Sequence, residues 1–183
     1  MVEIRELETK IINIDVTQIR EKMNKFKAEK IKEENQINYI YDFQDKSLLI
    51  SNGYARIRAV ENLLDKKNYY YMAVKKIISQ TDYKIMDEHE VSISDLEEGK
   101  NILSSLGLTL VEQIKKYRES YAFLDTLIEI DINDKSFYPI PYIEIEAKNE
   151  EAIEMVVKLL GYDMSQTTSK TIYQLIKDYK EEI

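Results

Sequence analysis

Four short runs of this 183-residue chain place two carboxylates two residues apart: Glu6 and Glu8 in "ELETK", Glu88 and Glu90 in "EHE", Glu129 and Asp131 in "IEIDI", and Glu144 and Glu146 in "YIEIEAK". Two runs do the same with cations, Arg56 and Arg58 in "ARIR" and Lys116 and Arg118 in "KKYR", while Lys10 follows Glu8 and "YMAVKK" adds Lys75 or Lys76. A β-strand repeats every two residues, so each pair shares one face, and Ile57, Ile128, Ile130, Ile143 and Ile145 fall on the other. The plain reading is a half-buried sheet with a solvated outer face. Against it, a solvated face usually mixes signs, and like charges opposed across strands are destabilising. Here the signs segregate by strand. Acid pairs suit hard divalent cations, Mg2+ or Mn2+, which prefer carboxylate oxygen. Basic pairs suit phosphate, with Arg as a planar bidentate partner. A site holding both would take a polyanion together with its metal.

The elements that must position these residues follow from periodicity. Residues 3–14 alternate as a strand. Asp15 then caps a helix predicted over 15–30, with Val16, Ile19, Met23 and Phe26 at helical spacing. Strands are predicted at 35–43, 54–62, 69–77, 84–93, 109–122, 125–132 and 140–147, with a hairpin turn at 64–68 and Asp125 in another hairpin. Residues 45–53 read as a short helix or loop ended by Asn52-Gly53. Asp95 caps a helix over 96–106 closed by Gly107, an Asn-capped helix spans 149–161, and a last helix covers 169–183. The strands come in antiparallel runs rather than strict βαβ alternation. The fold class predicted is therefore α+β, with a large antiparallel sheet, and eight strands suffice to close a barrel. The helix faces Ile19/Met23/Phe26 and Ile153/Val156/Val157/Leu160 are expected to pack on its outside.

Composition narrows the classes further. An apolar share of 44% supports a real core, and with no Pro/Gly/Ser-rich linker a single domain over 1–183 is expected. A net charge of −8 argues against a nucleic-acid partner, which needs a basic footprint. There is no Cys and one His, so thiolate metal sites are excluded and any metal must sit on oxygen. The charged start of the chain does not read as a secretory signal, and no apolar run approaches ~20 residues. A cytoplasmic protein with no membrane partner is expected. His89, between Glu88 and Glu90, should point away from them.

Taken in order, these motifs resemble the CYTH superfamily, the triphosphate tunnel metalloenzymes, which include class IV adenylate cyclases, thiamine triphosphatases and inorganic tripolyphosphatases. "ELETK" is similar to the family's ExExK, "QINYIYDF" to Q-x-x-x-YFD, "GYARIR" to G-x-x-LRIR and "YMAVKK" to a strand ending in a substrate lysine. "EHE" resembles its ExE, "KKYR" its K-x-R, "IEID" its aspartate-bearing strand, "YIEIEA" its FxEIE and "SKTIYQLI" its C-terminal SYxxLL helix. Three places depart from the pattern: Met86 where an Arg often precedes the ExE, the proline-bearing "SFYPIP", and Lys76 where Gly is common.

The resemblance implies an eight-stranded antiparallel tunnel with these charges inside and helices packed outside. It implies a metal-dependent triphosphatase acting on a small-molecule triphosphate: inorganic tripolyphosphate, thiamine triphosphate or a nucleoside triphosphate. Adenylate cyclase is the alternative. Carried over by position, Glu6, Glu8, Glu144 and Glu146 would bind Mg2+ or Mn2+, with Glu88, Glu90 and Asp131 completing the acidic side. Lys10, Arg56, Arg58, Lys75 and Arg118 would grip phosphate, joined by Lys116, and Lys170 could reach the tunnel mouth. Tyr39, Tyr41, Tyr69, Tyr70 and Tyr71 could stack on a ring, although strand aromatics more often sit in a core. Two readings from other classes stay open: a non-catalytic polyphosphate-binding module, and a barrel for an apolar ligand if Ile57/Ala59 and Ile143/Ile145 face inward.

Overall fold

The computed structural model describes residues 7–181. Nine strands form: β1 (Leu7–Ile12), β2 (Glu29–Asp42), β3 (Gly53–Asn62), β4 (Lys67–Gln80), β5 (Lys84–Ile93), β6 (Thr109–Phe123), β7 (Thr126–Asn133), β8 (Tyr142–Ala147) and β9 (Thr167–Thr168). Five α-helices join them: α1 (Val16–Phe26), α2 (Ser47–Ile50), α3 (Leu96–Ser105), α4 (Glu150–Leu159) and α5 (Ile172–Glu181). The strands neighbour one another in the order β5-β4-β3-β2-β6-β7-β8-β1-β9, and β5 also pairs with β1. Eight antiparallel strands thus close a barrel, with β9 as an extra strand beside β1. The β5–β1 pairing brings the two ends of the sheet together.

The closing seam is divided. β5 pairs with β1 at Leu7↔Ile85 and Glu8↔Lys84, whereas β9 takes Lys10↔Thr168 and Ile11↔Thr167 on the same edge. Two-residue β9 carries no alternating pattern, which is why periodicity does not foresee it.

Which phase faces inward is decided by the apolar residues. Ile128, Ile130, Ile143 and Ile145 are fully buried in one cluster with Ile19 and Met23 of α1 and Ile153, Val156 and Val157 of α4. Each such side chain contributes roughly 1.5–3 kcal/mol on burial, so the outer wall of β7, β8 and β1 is a core between sheet and helices. Ile57 packs outward too, with Leu103 and Leu108 beside α3. The opposite phase, carrying the charges, is left to the lumen, so the apolar-ligand barrel is not what this chain builds.

Caps form as the sequence predicts. Asp15 accepts from Thr17 and Gln18 N–H, Asp95 from Glu98 N–H and Asn149 from Ala152 N–H. Several boundaries differ. The first helix stops at Phe26 instead of running to Lys30, with Lys27 left-handed at φ 56° and Ala28 N–H bonded to Met23 C=O. β2 begins at Glu29 because it pairs with β6 from Ala122 onward. That long ladder overrides the helical propensity of "KAEK". β8 starts at Tyr142 rather than residue 140, since Pro139 and Pro141 have no N–H for a ladder.

Candidate active site

Register fixes the lumen. Glu8 lies opposite Glu146 and Lys10 opposite Glu144 on β1 and β8, Glu144 opposite Glu129 on β7, and Asp131 opposite Arg118 on β6. On the far wall Lys75 of β4 is opposite Glu88 of β5. Directly opposed residues share a face, so these side chains converge.

Around β1, β8 and β7 the charges are buried and interlocked. Lys10 Nζ lies 2.8 Å from Glu8 Oε1 and 2.6 Å from Glu144 Oε1, and Lys84 also bonds Glu8. Burial opposes the Lys10 charge, but Glu144 and Glu8 outweigh it and hold the amine above its ordinary value. Arg118 donates from Nε to Asp131 Oδ1 and from Nη2 to Asp131 Oδ2, both at 2.6 Å, and reaches Glu144 at 3.1 Å and Glu129 as well. Asp131 is fully buried and also accepts from Lys116 at 2.8 Å. Both of its oxygens are engaged, so in this arrangement it orients Arg118 and Lys116. Burial, then the neighbouring Arg118, brings the Lys116 amine down to about 8.

Glu146 differs from its neighbours: it has no hydrogen bond or ion pair among the described residues. Burial, followed by Glu129, Glu144 and Glu8, raises its carboxyl to about 8. Oxygens of Glu129, Glu144 and Glu146 lie within 4.8 Å of one another. A cluster of carboxylates, one held part-protonated by the others, matches the oxygen donor set of a hard divalent cation.

On the other wall, Arg56 Nη2 pairs with Glu88 at 3.0 Å and Glu90 at 2.9 Å, and Lys75 bonds Glu88. Arg58 approaches Glu90 only at 3.9 Å. Burial, then Arg56 and Arg118, lowers its pKa. Arg56 Nε, Arg58 Nε and Asn133 Nδ2 are buried donors with no protein partner. Unmatched buried donors are rare and point to a ligand or water that completes them.

The lumen encloses a cavity of about 450 Å³ lined by Glu8, Lys10, Arg56, Arg58, Lys75, Lys116, Arg118, Glu144 and Glu146. These are nine of the residues that the sequence brings together. Glu88, Glu90 and Asp131 do not line it but pair with its cations. Lys170 is not brought to the cavity; its ammonium pairs with Asp178 at 2.6 Å. Glu6 lies outside the described residues. His89 faces outward beside Asp87 with its side chain 80% exposed.

Sequence reasoning missed several lining residues. Lys84 lies on the same β5 phase as Met86 and Glu88, so that phase could have revealed it. Glu129, which belongs to the carboxylate cluster rather than to the lining, shares a face with Asp131, and the resemblance points only to the aspartate. Asn38 and Asn133 carry no charge signal. The mouth is formed by Leu49, Tyr54, Ile77, Val111, Phe137, Ile172 and Tyr173, far apart in sequence. Phe137 and Tyr173 meet edge to face at 6.3 Å, and Tyr173 donates to Glu112 at 3.0 Å. Tyr41 instead packs in the outer cluster, with Tyr39 against it, and Tyr69 bonds Asp65 in a turn. Gly53 is needed at this mouth, because a Cβ there would lie 2.8 Å from the Lys75 carbonyl oxygen.

Known structures share this architecture. A conserved hypothetical protein from Pyrococcus furiosus is 23% identical, with 91% of this chain and 96% of that one covered and a TM-score of 0.73. A candidate adenylate cyclase from Vibrio parahaemolyticus is 13% identical over 94% and 98%, TM-score 0.77. A Hippeastrum protein, a candidate adenylyl cyclase with a dominant triphosphatase activity, is 17% identical over 85% and 88%, TM-score 0.67. No curated protein matches in sequence. No described helix is long and apolar enough to cross a membrane. The CYTH domain model matches residues 5–172, and with the closed barrel and inward charges already described, the chain belongs to the CYTH domain family.

Proposed function

We propose that this chain is a divalent-metal-dependent phosphohydrolase acting on a triphosphate held in the barrel. The observation that carries this reading is a closed lumen in which Lys10, Arg56, Arg58, Lys75, Lys116 and Arg118 face a carboxylate cluster. Phosphoryl transfer depends on positioning and charge neutralisation more than on covalent chemistry. Arg56 and Arg58 offer unmatched N–H groups to phosphate oxygens, and Lys75 and Lys116 add charge on either side. Asp131 holds Arg118 in one orientation, which fixes the phosphate chain in line. Lys116, brought down to about 8, gains its full charge when phosphate enters beside it.

Glu129, Glu144 and Glu146, with Glu8 adjacent, would hold Mg2+ or Mn2+. When bound, the metal would neutralise developing phosphate charge and lower the pKa of a coordinated water. A pure phosphate-binding module would have no need of so many converging carboxylates. Adenylate cyclase is a second reading, favoured by the aromatic pair Phe137 and Tyr173 at the mouth, which could receive a base.

The test is phosphate release from tripolyphosphate, ATP and thiamine triphosphate with Mg2+, Mn2+ or EDTA, with cyclic AMP followed in parallel. Metal-dependent orthophosphate release that Glu146→Gln abolishes is expected. Cyclic AMP with pyrophosphate would make the chain a cyclase. Binding of tripolyphosphate without turnover would leave the binding module.

A further inference from the structure

Lys84 opens β5 on its lumen side, with Met86 and Glu88 at the next alternate positions. It is 8% exposed and lines the cavity. Its backbone is fixed by the last rung of the β5–β1 seam, Glu8↔Lys84, just before β9 replaces β5 along β1. The preceding turn is tied down as well: Gln80 donates to Ser169 C=O at 2.8 Å, and Ser169 Oγ to Thr81 C=O at 2.5 Å.

The hydrogen bonding of the Lys84 ammonium is not closed. Its ammonium bonds Glu8 Oε1, and that same oxygen accepts from Lys10 at 2.8 Å. Lys10 has a second carboxylate, Glu144, at 2.6 Å. Among the described residues Lys84 has no other ion pair. One carboxylate oxygen shared by two ammoniums gives Lys84 a single, divided acceptor, while an ammonium has three N–H donors to place. Lys84 lines the cavity, where the oxygen of an anion can take the others. Lys170, which could have supplied a cation from the mouth, is engaged with Asp178.

On the reading of the lumen as a triphosphate site, we propose that Lys84 is a further phosphate-binding residue. Glu8 holds its ammonium in the free protein, and a phosphate oxygen of the substrate takes it over on binding. The rival explanation is that Lys84 serves only to neutralise Glu8. The two differ in affinity for an anion, not in stability.

Calorimetric titration with tripolyphosphate in EDTA separates them, with melting curves recorded on the same samples. Lys84→Gln should weaken binding by about tenfold or more, the size expected for one buried charge-assisted hydrogen bond. Lys84→Arg should recover most of that loss. Lys76→Gln, which removes the same charge from the exposed outer face of β4, should bind as the unaltered protein does. Unchanged affinity in Lys84→Gln would overturn the inference and leave Lys84 a structural partner of Glu8. No binding by the unaltered protein, either in EDTA or with Mg2+ added, would instead overturn the triphosphate reading itself. Should Lys84→Gln fail to fold, the comparison moves to Glu8→Gln against Glu8→Gln/Lys84→Gln, where no carboxylate is left underpaired. The same loss is expected there, and equal affinities would overturn the proposal.

Discussion

The two walls of the barrel carry similar charges in different surroundings. On β6, β7, β8 and β1, Arg118, Glu129, Asp131, Glu144 and Lys10 are all buried, and Ile128, Ile130, Ile143 and Ile145 behind them are sealed by α1 and α4. On β4 and β5, the Glu88 and Glu90 side chains keep 32% and 30% of their surface, and Val74, Ile78 and Val91 lie exposed on the outer face. The first wall is buried on both faces, so its charges satisfy one another and hold fixed geometry. The second can exchange partners with water. On the proposed triphosphate reading, a wall of fixed charges beside one that can yield would let the lumen admit a polyanion and then grip it.

The largest test of this contrast is removal of one cation from each wall. Arg118→Met leaves the buried Asp131 and Glu129 underpaired and should destabilise the fold by about 3–5 kcal/mol. Lys75→Met should lose about 1 kcal/mol or less, because Glu88 can turn to water. Urea denaturation of both variants measures this, and equal losses would break the comparison.

Next come the apolar faces behind the charges. Ile145→Ala should destabilise by about 2–5 kcal/mol through the cavity it leaves. Val91→Ala, 58% exposed in the unaltered chain, should stay within about 0.5 kcal/mol. A large loss at Val91 would mean that the second wall is covered in solution.

Acid sharpens the contrast at Glu119, on the outer face of β6. Burial would raise its carboxyl, but hydrogen bonds from Arg20, Tyr121, Tyr117 and Lys30 prevail and bring it to about 2, from 4.5. A depressed carboxylate stabilises the fold fully above the unfolded value and less as pH falls. The contribution should therefore be complete above pH 4.5 and disappear as pH drops from 4.5 through about 2. Tm measured across that range should fall less steeply in Glu119→Gln, and parallel curves would remove Glu119 from the acid response.

The smallest effects should ignore the walls. Asn149→Ala at the start of α4 and Asp95→Ala at the start of α3 each remove an exposed cap, at about 1 kcal/mol on either side. A clear difference between them would show that helix docking, not burial of charge, separates the two walls.

Much of this was legible in the chain. Period-two alternation in "LIEIDI" and "YIEIEA" places Glu and Asp on one face and Ile on the other, and the caps at Asp15, Asp95 and Asn149 follow from local hydrogen bonding alone. These are short-range properties of backbone geometry, so the sequence determines them without help. It could not show which charges meet. Lys84 touches Glu8, and Asp131 gives both oxygens to Arg118 and Lys116, only through cross-strand register and the closing of β5 on β1. Lys170 instead pairs with Asp178 of α5, eight residues on. Register and closure are set by pairings between residues distant in sequence. A strand's own pattern therefore fixes its face, while tertiary structure alone fixes its partners.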